Sequence, residues 1–255
     1  MHGFLRILLV ALLCCASVAG AEDPLHEQTE QLFSLPLESA ITIENTDGSI
    51  HVFGWYEPRV RLVALRNAYT APRLAQIRVE TKLAPGSLAV RSVIPSVHGI
   101  FADRSGTIDY TVNVPETAHL KLKLATGEVS LQGLRGGSAS IELTNGRITA
   151  LNCFARVDAQ SRNGVMEVFF EWWENAPATF DYALQHGRIG AILPPMARFR
   201  VEAETLNGRI GNGFGLKNPS EPGRSQKLEG ATATDTPLTL RFHTGGGNIS
   251  IDRHP

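Results

Sequence analysis

The chain has 255 residues, of which 43% are hydrophobic and 19% charged, and its formal net charge is −1. Acids and bases are interspersed, which excludes the basic stripe of a nucleic-acid binder, and beyond the N-terminal stretch no apolar run is long enough to span a bilayer. Of the three cysteines only Cys153 lies beyond that stretch, so the core must be held by burial and backbone pairing rather than by an internal disulfide.

In chain order, residues 1–21 read as a signal peptide. Arg6 precedes the apolar run ILLVALLCCASVA, and Ala19, Gly20 and Ala21 supply the small residues of a cleavage site, placing the cut after Ala21 and the mature chain outside the cytoplasm. The alternative is a lipoprotein acylated at Cys14 or Cys15. Leu13 and Cys14 stand where a small residue is expected before such a cysteine, and this weighs against it. Residues 22–36 form a leader, with Leu25 to Leu32 either a short helix or disordered. Residues 37–114 alternate polar and apolar in AITIENTDGSIHVFGW, RVRLVALRNA, QIRVETKLAPGSLAVRSVIP and GTIDYTVNVP, separated by Gly, Pro and charged turns. This is the pattern of an antiparallel β segment, and it is expected to cap the repeats on its C-terminal side.

From residue 115 to 252 one phrase recurs: ATGEVSL, TNGRITA, RNGVMEV, QHGRIGA, LNGRIG and GGGNISI, with TDGSIHV as an earlier echo. Gly127 to Gly146 is 19 residues, Gly146 to Gly164 is 18, Gly164 to Gly187 is 23, Gly187 to Gly208 is 21, and the last step to Gly247 is 39, close to two periods. A period near twenty signals a stacked repeat.

Numbered from each glycine, positions −7 and −5 are apolar (Leu120 and Leu122, Ile141, Val157, Phe180 and Tyr182, Leu240 and Phe242), and so for the most part are +2 and +4. Alternation by two is a half-buried strand. From −5 to +2 is an odd number of steps, so the alternation changes phase at the glycine. A strand, a sharp corner and a second strand satisfy that pattern. Glycine suits a corner of positive φ, and asparagine, well tolerated there, precedes it at Asn145, Asn163 and Asn207. Two architectures fit. One is a right-handed parallel β-helix-like solenoid, in which each rung returns through a link such as LQGLRGGSA. The other is a ladder of antiparallel hairpins, since Asn-Gly also favours tight turns. The solenoid is the expected fold: all-β, capped at its N-terminal end, with the Pro- and Gly-rich segment 215–237 inserted as a long loop.

The ordered words AITIENTDGSIHVFGWYEPRVRLVA, TVNVPETAHLKLKLATGEVSLQGLRGGSASIELTNGRITALN and FRVEAETLNGRIGN resemble the bacterial DUF4097 family of adhesin-like proteins, from about Leu37 to Ile251. The resemblance implies an exported or envelope-associated β-solenoid. FFEWWENAP and the long loop depart from the family's regularity.

Few residues carry chemistry. Asp158, Asp181 and Glu202 share position −6, and Glu142 and Glu204 share −4, so stacking would line them up as an acidic face. Such a face is either a cation or catalytic site or simply solvated, and no Asp-rich calcium repeat accompanies it. Arg147, Arg188 and Arg209 share position +1, a candidate contact stripe for an anionic glycan or lipid headgroup. Adjacent Trp172 and Trp173 cannot both point inward from one strand, so at least one is a candidate partner-binding aromatic. The histidines lack metal-ligand spacing, Cys153 has no cysteine nearby in sequence, and neither a nucleophile elbow nor a phosphate loop is present. No catalytic residue, cofactor or metal is assigned. The expected function is a non-enzymatic envelope or secreted protein that binds an envelope protein or glycan; the alternative is a polysaccharide-active β-helix enzyme.

Overall fold

The computed structural model describes residues 23–96, 98–99, 102–217 and 225–254. The expected signal peptide 1–21 with Cys14 and Cys15, and the middle of the expected loop 215–237, lie outside the described residues. Fifteen strands and one short helix are present among those described: β1 (Leu25–Ser34), β2 (Ala40–Trp55), β3 (Arg59–Ala68), α1 (Ala71–Gln76), β4 (Arg78–Ala84), β5 (Ser87–Val93), β6 (Thr107–Pro115), β7 (His119–Gln132), β8 (Arg135–Leu151), β9 (Phe154–Phe169), β10 (Ala178–Leu193), β11 (Phe199–Thr205), β12 (Ile210–Asn212), β13 (Gln226–Ala231), β14 (Leu238–Gly246) and β15 (Ile249–Arg253). The protein is all-β, and the strands form one mixed sheet with β1 and β13 at the ends of its main path.

The glycine-centred strands pair in parallel rather than as hairpins. β2, β7, β8, β9 and β10 lie side by side, and Gly48, Gly127, Gly146, Gly164 and Gly187 face one another in register. Their φ angles, from +119° to +142°, are open to glycine almost alone. They also touch. A Cβ on Gly146 would lie 1.8 Å from the carbonyl oxygen of Gly127, and one on Gly247 would lie 1.6 Å from that of Gly187. Gly208 completes the column differently. Its φ is not in the positive range, so the expected left-handed corner is absent there, yet a Cβ would still meet the Gly247 oxygen at 1.9 Å.

The change of phase at each glycine does what the alternation requires. Positions −7 and −5 from the first arm of each strand, and +2 and +4 from the second, are buried in one continuous core, except around Gly208, where Ile210 and Asn212 are only partly buried. The short links add Leu134, Phe154 and Phe170, and they bond to one another, as in Phe154 N–H to the Leu134 carbonyl. An aromatic file, Phe154, Phe170, Phe180, Tyr182 and Phe242, crosses the rungs with successive ring centroids 5.0, 6.0, 5.9 and 5.7 Å apart. Within it the Tyr182 hydroxyl is fully buried without a hydrogen-bond partner, and burial pushes its pKa well up. Tyr182→Phe should therefore stabilise the protein by about 1 kcal/mol. For a chain of this size that raises Tm by about 2–4 °C; a fall in Tm would mean that the hydroxyl has a partner.

Three features differ from the sequence expectation. First, residues 37–114 are not wholly antiparallel. β3 pairs antiparallel with β1 and β6, and β4 with β5, but β2 runs parallel to β5, β6 and β7 and carries the first corner glycine. Second, Leu25 to Leu32 is neither helix nor disordered leader. It belongs to β1, which satisfies its backbone on β3 and is pinned by ion pairs Glu30–Arg61 and Glu27–Arg66. Third, β14 does not follow β11 in space. It inserts between β10 and β11, parallel to both, while residues 226–231 of the expected loop form β13 against β11.

Candidate functional site

Stacking turns repeat positions into columns of side chains, and the insertion of β14 decides the character of the acidic ones. Asp158 and Asp181 are neighbours at position −6, but Arg241 of β14 separates Asp181 from Glu202. Arg156 binds Asp158 at 2.8 Å, and Arg241 lies 3.4 Å from Glu202. At −4 the order is Glu44, Lys123, Glu142, Gln160, Ala183, His243 and Glu204. Lys123 pairs with Glu142 at 2.8 Å, and the bond raises the lysine pKa. The acids are therefore interleaved with bases, as on a solvated face, and no cluster of three or more metal-ligating side chains occurs among the described residues.

The arginine ladder is brought onto one face, outward on the second arm, but much of its charge is spent internally. Arg147 and Arg188 both bind Glu167 of the intervening strand, at 2.7 and 2.8 Å. Arg209 stands exposed two columns further on, beyond Asn248, whose side chain accepts its backbone N–H at 3.0 Å.

The two tryptophans divide. Trp173 is half-buried and packs edge-on against Phe170, 6.3 Å between centroids. Trp172 is 45% exposed, and its indole N–H donates to Glu174 at 3.0 Å. Glu174 also accepts two bonds from Arg135, at 2.6 and 2.8 Å, and this guanidinium, with the indole second, holds its pKa down at about 2. Segment FFEWWENAP is thus anchored cover that leaves one aromatic ring facing solvent.

One concavity was not anticipated. It is an open trough of about 820 Å³ on the outer side of the corners, crossing β2, β7, β8, β9, β10 and β14. Its cause is local. Position −2 drops out of the residue-for-residue pairing in every rung: Leu124 faces Leu143 and Thr126 faces Asn145, but Ala125 and Thr144 are skipped, as are Arg162 and Gln185 in the following rungs. The backbone steps out of the ladder there, and the steps align. Leu124, Leu143 and Leu184 form the floor, while Gln160 at −4 and Thr144, Arg162 and Gln185 at −2 form the walls. The available signal was the period-matched position −2, Ala125, Thr144, Arg162 and Gln185, a column that holds neither acids nor aromatics in these rungs.

Other reactive groups are placed unfavourably. His51 and Ser130 hydrogen-bond at 2.6 Å on the second-arm face, but Asp109, two residues along the neighbouring strand, is engaged by Ser49 and Asn67. Cys153 is buried, and desolvation pushes its thiol up to about 12, the range of an inert structural cysteine.

No family model matches the chain, and no curated protein matches it. Among solved structures, it is similar to a "putative cell adhesion protein" from Clostridium sporogenes, with 11% identity, 91% of this chain and 100% of that one covered, and a TM-score of 0.49. It is also similar to a "putative adhesin" from Bacteroides fragilis, with 12% identity, 88% and 97% covered, and a TM-score of 0.37. A "putative lipid binding protein" from Parabacteroides distasonis matches with 8% identity, 88% and 96% covered, and a TM-score of 0.22. No helix of the described residues is long and apolar enough to cross a membrane.

Proposed function

We propose that this is an exported, non-enzymatic protein of the DUF4097 type, a right-handed β-solenoid of the cell envelope or secreted fraction whose surface binds another macromolecule. The observation that carries the reading is the register of β2, β7, β8, β9 and β10, which repeats outward side chains rung after rung on a charge-mixed surface. Such a surface suits contact recognition. A glycosidase instead needs two carboxylates held across a cleft, and here Asp158 is tied to Arg156, Glu202 to Arg241 and Glu142 to Lys123. The partner is an envelope protein or a glycan. Its contacts are Trp172, supported by Trp173, together with Arg147, Arg188 and Arg209.

The test is capture of partners from bacterial envelope extracts by the full chain and its variants. Trp172→Ser should weaken capture more than about tenfold with unchanged circular dichroism, as expected for an aromatic anchor. Trp173→Ser should instead lower stability, because that ring packs on the core. Neutralising the three arginines should matter mainly at low salt. Capture unaffected by Trp172→Ser and by the arginine changes would move the binding face elsewhere.

A further inference from the structure

We infer that the outer trough is the seat of a linear glycan in which acidic sugars alternate with neutral ones; this deepens the proposed binding function and rests on it. The trough is a ruled surface, with one step per strand at about 4.8 Å. It crosses six strands in succession. An extended peptide advances about 3.3–3.4 Å per residue, so its side chains would drift out of step with the columns within two rungs. A pyranose unit is close to one rung in length, and each sugar along a linear glycan meets the same set of columns.

The chemistry of the columns fits a sugar. Leu124, Leu143 and Leu184, whose side chains belong to the core, close the base of the trough, with Ser161 between the last two. The walls offer a hydroxyl on Thr144 and amides on Gln160 and Gln185, which both donate to and accept from ring hydroxyls. None of these three side chains is engaged with another side chain among the described residues, so their hydrogen-bonding capacity is open to a ligand.

The charge pattern selects the acidic alternation. Lys123 and Glu142 neutralise each other within the trough. Arg162, exposed at the centre on β9, has no carboxylate within ion-pair distance among the described residues. One free guanidinium on β9, flanked by the Thr144 hydroxyl on β8 and the Gln185 amide on β10, suits one carboxylate between two neutral sugars, and it can grip that carboxylate through two parallel bonds. A uniformly charged polymer fits poorly. Asp181, on the far side of the −4 column, would repel a charge on a neighbouring sugar, whereas Asp158 beside it is already tied to Arg156.

The experiment uses the purified full chain and isothermal titration with a hyaluronan hexasaccharide, cellohexaose and a poly-glutamate peptide as probes. The hyaluronan hexasaccharide should bind, with cellohexaose at least tenfold weaker and poly-glutamate weaker still. Arg162→Gln should reduce hyaluronan affinity at least tenfold, to the level of cellohexaose, and leave cellohexaose unchanged. Ala125→Trp, which fills the trough from β7, should abolish both; thermal melts of the two variants establish that they are folded. The inference is overturned if the hexasaccharide does not bind, if its binding is indifferent to both substitutions in folded protein, or if poly-glutamate binds more tightly. Partner capture that depends on Trp172 while every glycan probe fails would sink the trough assignment and leave the proposed function standing. Hyaluronan binding that survives Trp172→Ser and is lost with Arg162→Gln would establish the trough and displace the tryptophan face.

Discussion

Gly146→Ala should lower stability by roughly 4 kcal/mol or more, at the diagnostic end of single substitutions. In thermal terms that is a drop in Tm of roughly 10 °C for a chain of this size. Two causes act together at this position, φ of +142° and a neighbouring carbonyl 1.8 Å from the added carbon, and other glycines separate them. Gly136 has φ +75° with open space around it, so Gly136→Ala should cost only about 1 kcal/mol. Gly208 lacks the positive φ but meets the Gly247 oxygen at 1.9 Å, so Gly208→Ala should be nearly as damaging as Gly146→Ala. Gly211 has neither constraint, and Gly211→Ala should stay within about 0.5 kcal/mol of the parent. Urea or thermal melts of the four variants check the order. If Gly208→Ala behaves like Gly211→Ala, close contact between rungs is not what demands glycine; if Gly146→Ala matches Gly136→Ala, backbone conformation is the whole cause.

A chain ending at Pro237 should lose its cooperative fold. It lacks β14 and β15, and with them the buried side chains of Leu238, Leu240, Phe242, Ile249 and Ile251. At about 1.5–3 kcal/mol each, their burial is comparable with the whole stability of a domain, about 5–15 kcal/mol. The loss is also topological, because β10 and β11 would be left a full strand apart with no chain to bridge them. Deleting residues 25–34 makes the contrast. β1 is exposed at eight of its ten positions, and its removal should cost about 2 kcal/mol or less. Circular dichroism melts of both truncations decide the matter: a native-like melt for the chain ending at Pro237 would mean that β14 is peripheral.

The inward-facing set was legible in the sequence because two simple periodicities met at each glycine. Leu120, Leu122, Val129 and Leu131 around Gly127, and their counterparts around Gly146, Gly164 and Gly187, could be assigned without knowing the fold, and all are buried. The order of the strands was not legible. Leu240 and Phe242 present the same pattern as Val201 and Ala203, so either pair could have lain beside Phe180 and Tyr182; the packing of Phe242 on Tyr182 is a three-dimensional fit that period-two counting does not contain. β1 escaped for the opposite reason. Exposed on both faces, it shows no alternation to read, and only its pairing with β3 makes it a strand. Of the candidate site, the sequence marked which arginines share a column but not that Glu167 would sit between Arg147 and Arg188. The trough needed the aligned backbone steps at Thr144, Arg162 and Gln185, which depend on pairing between rungs.

The placement of β14 also sets a timetable. A chain emerging from its N-terminus can add β7, β8, β9 and β10 one upon another, each new strand finding a finished edge. The process then halts. β11 is made next but cannot dock on β10, since its place is one strand further out. Until Leu238–Arg253 has appeared, β10 keeps a bare edge and the pair β11 and β13 has nothing to rest on. Completion of the fold is thereby deferred to the last strands made, so a chain threaded through a membrane as it is synthesised would stay open at this end until its final segment had crossed.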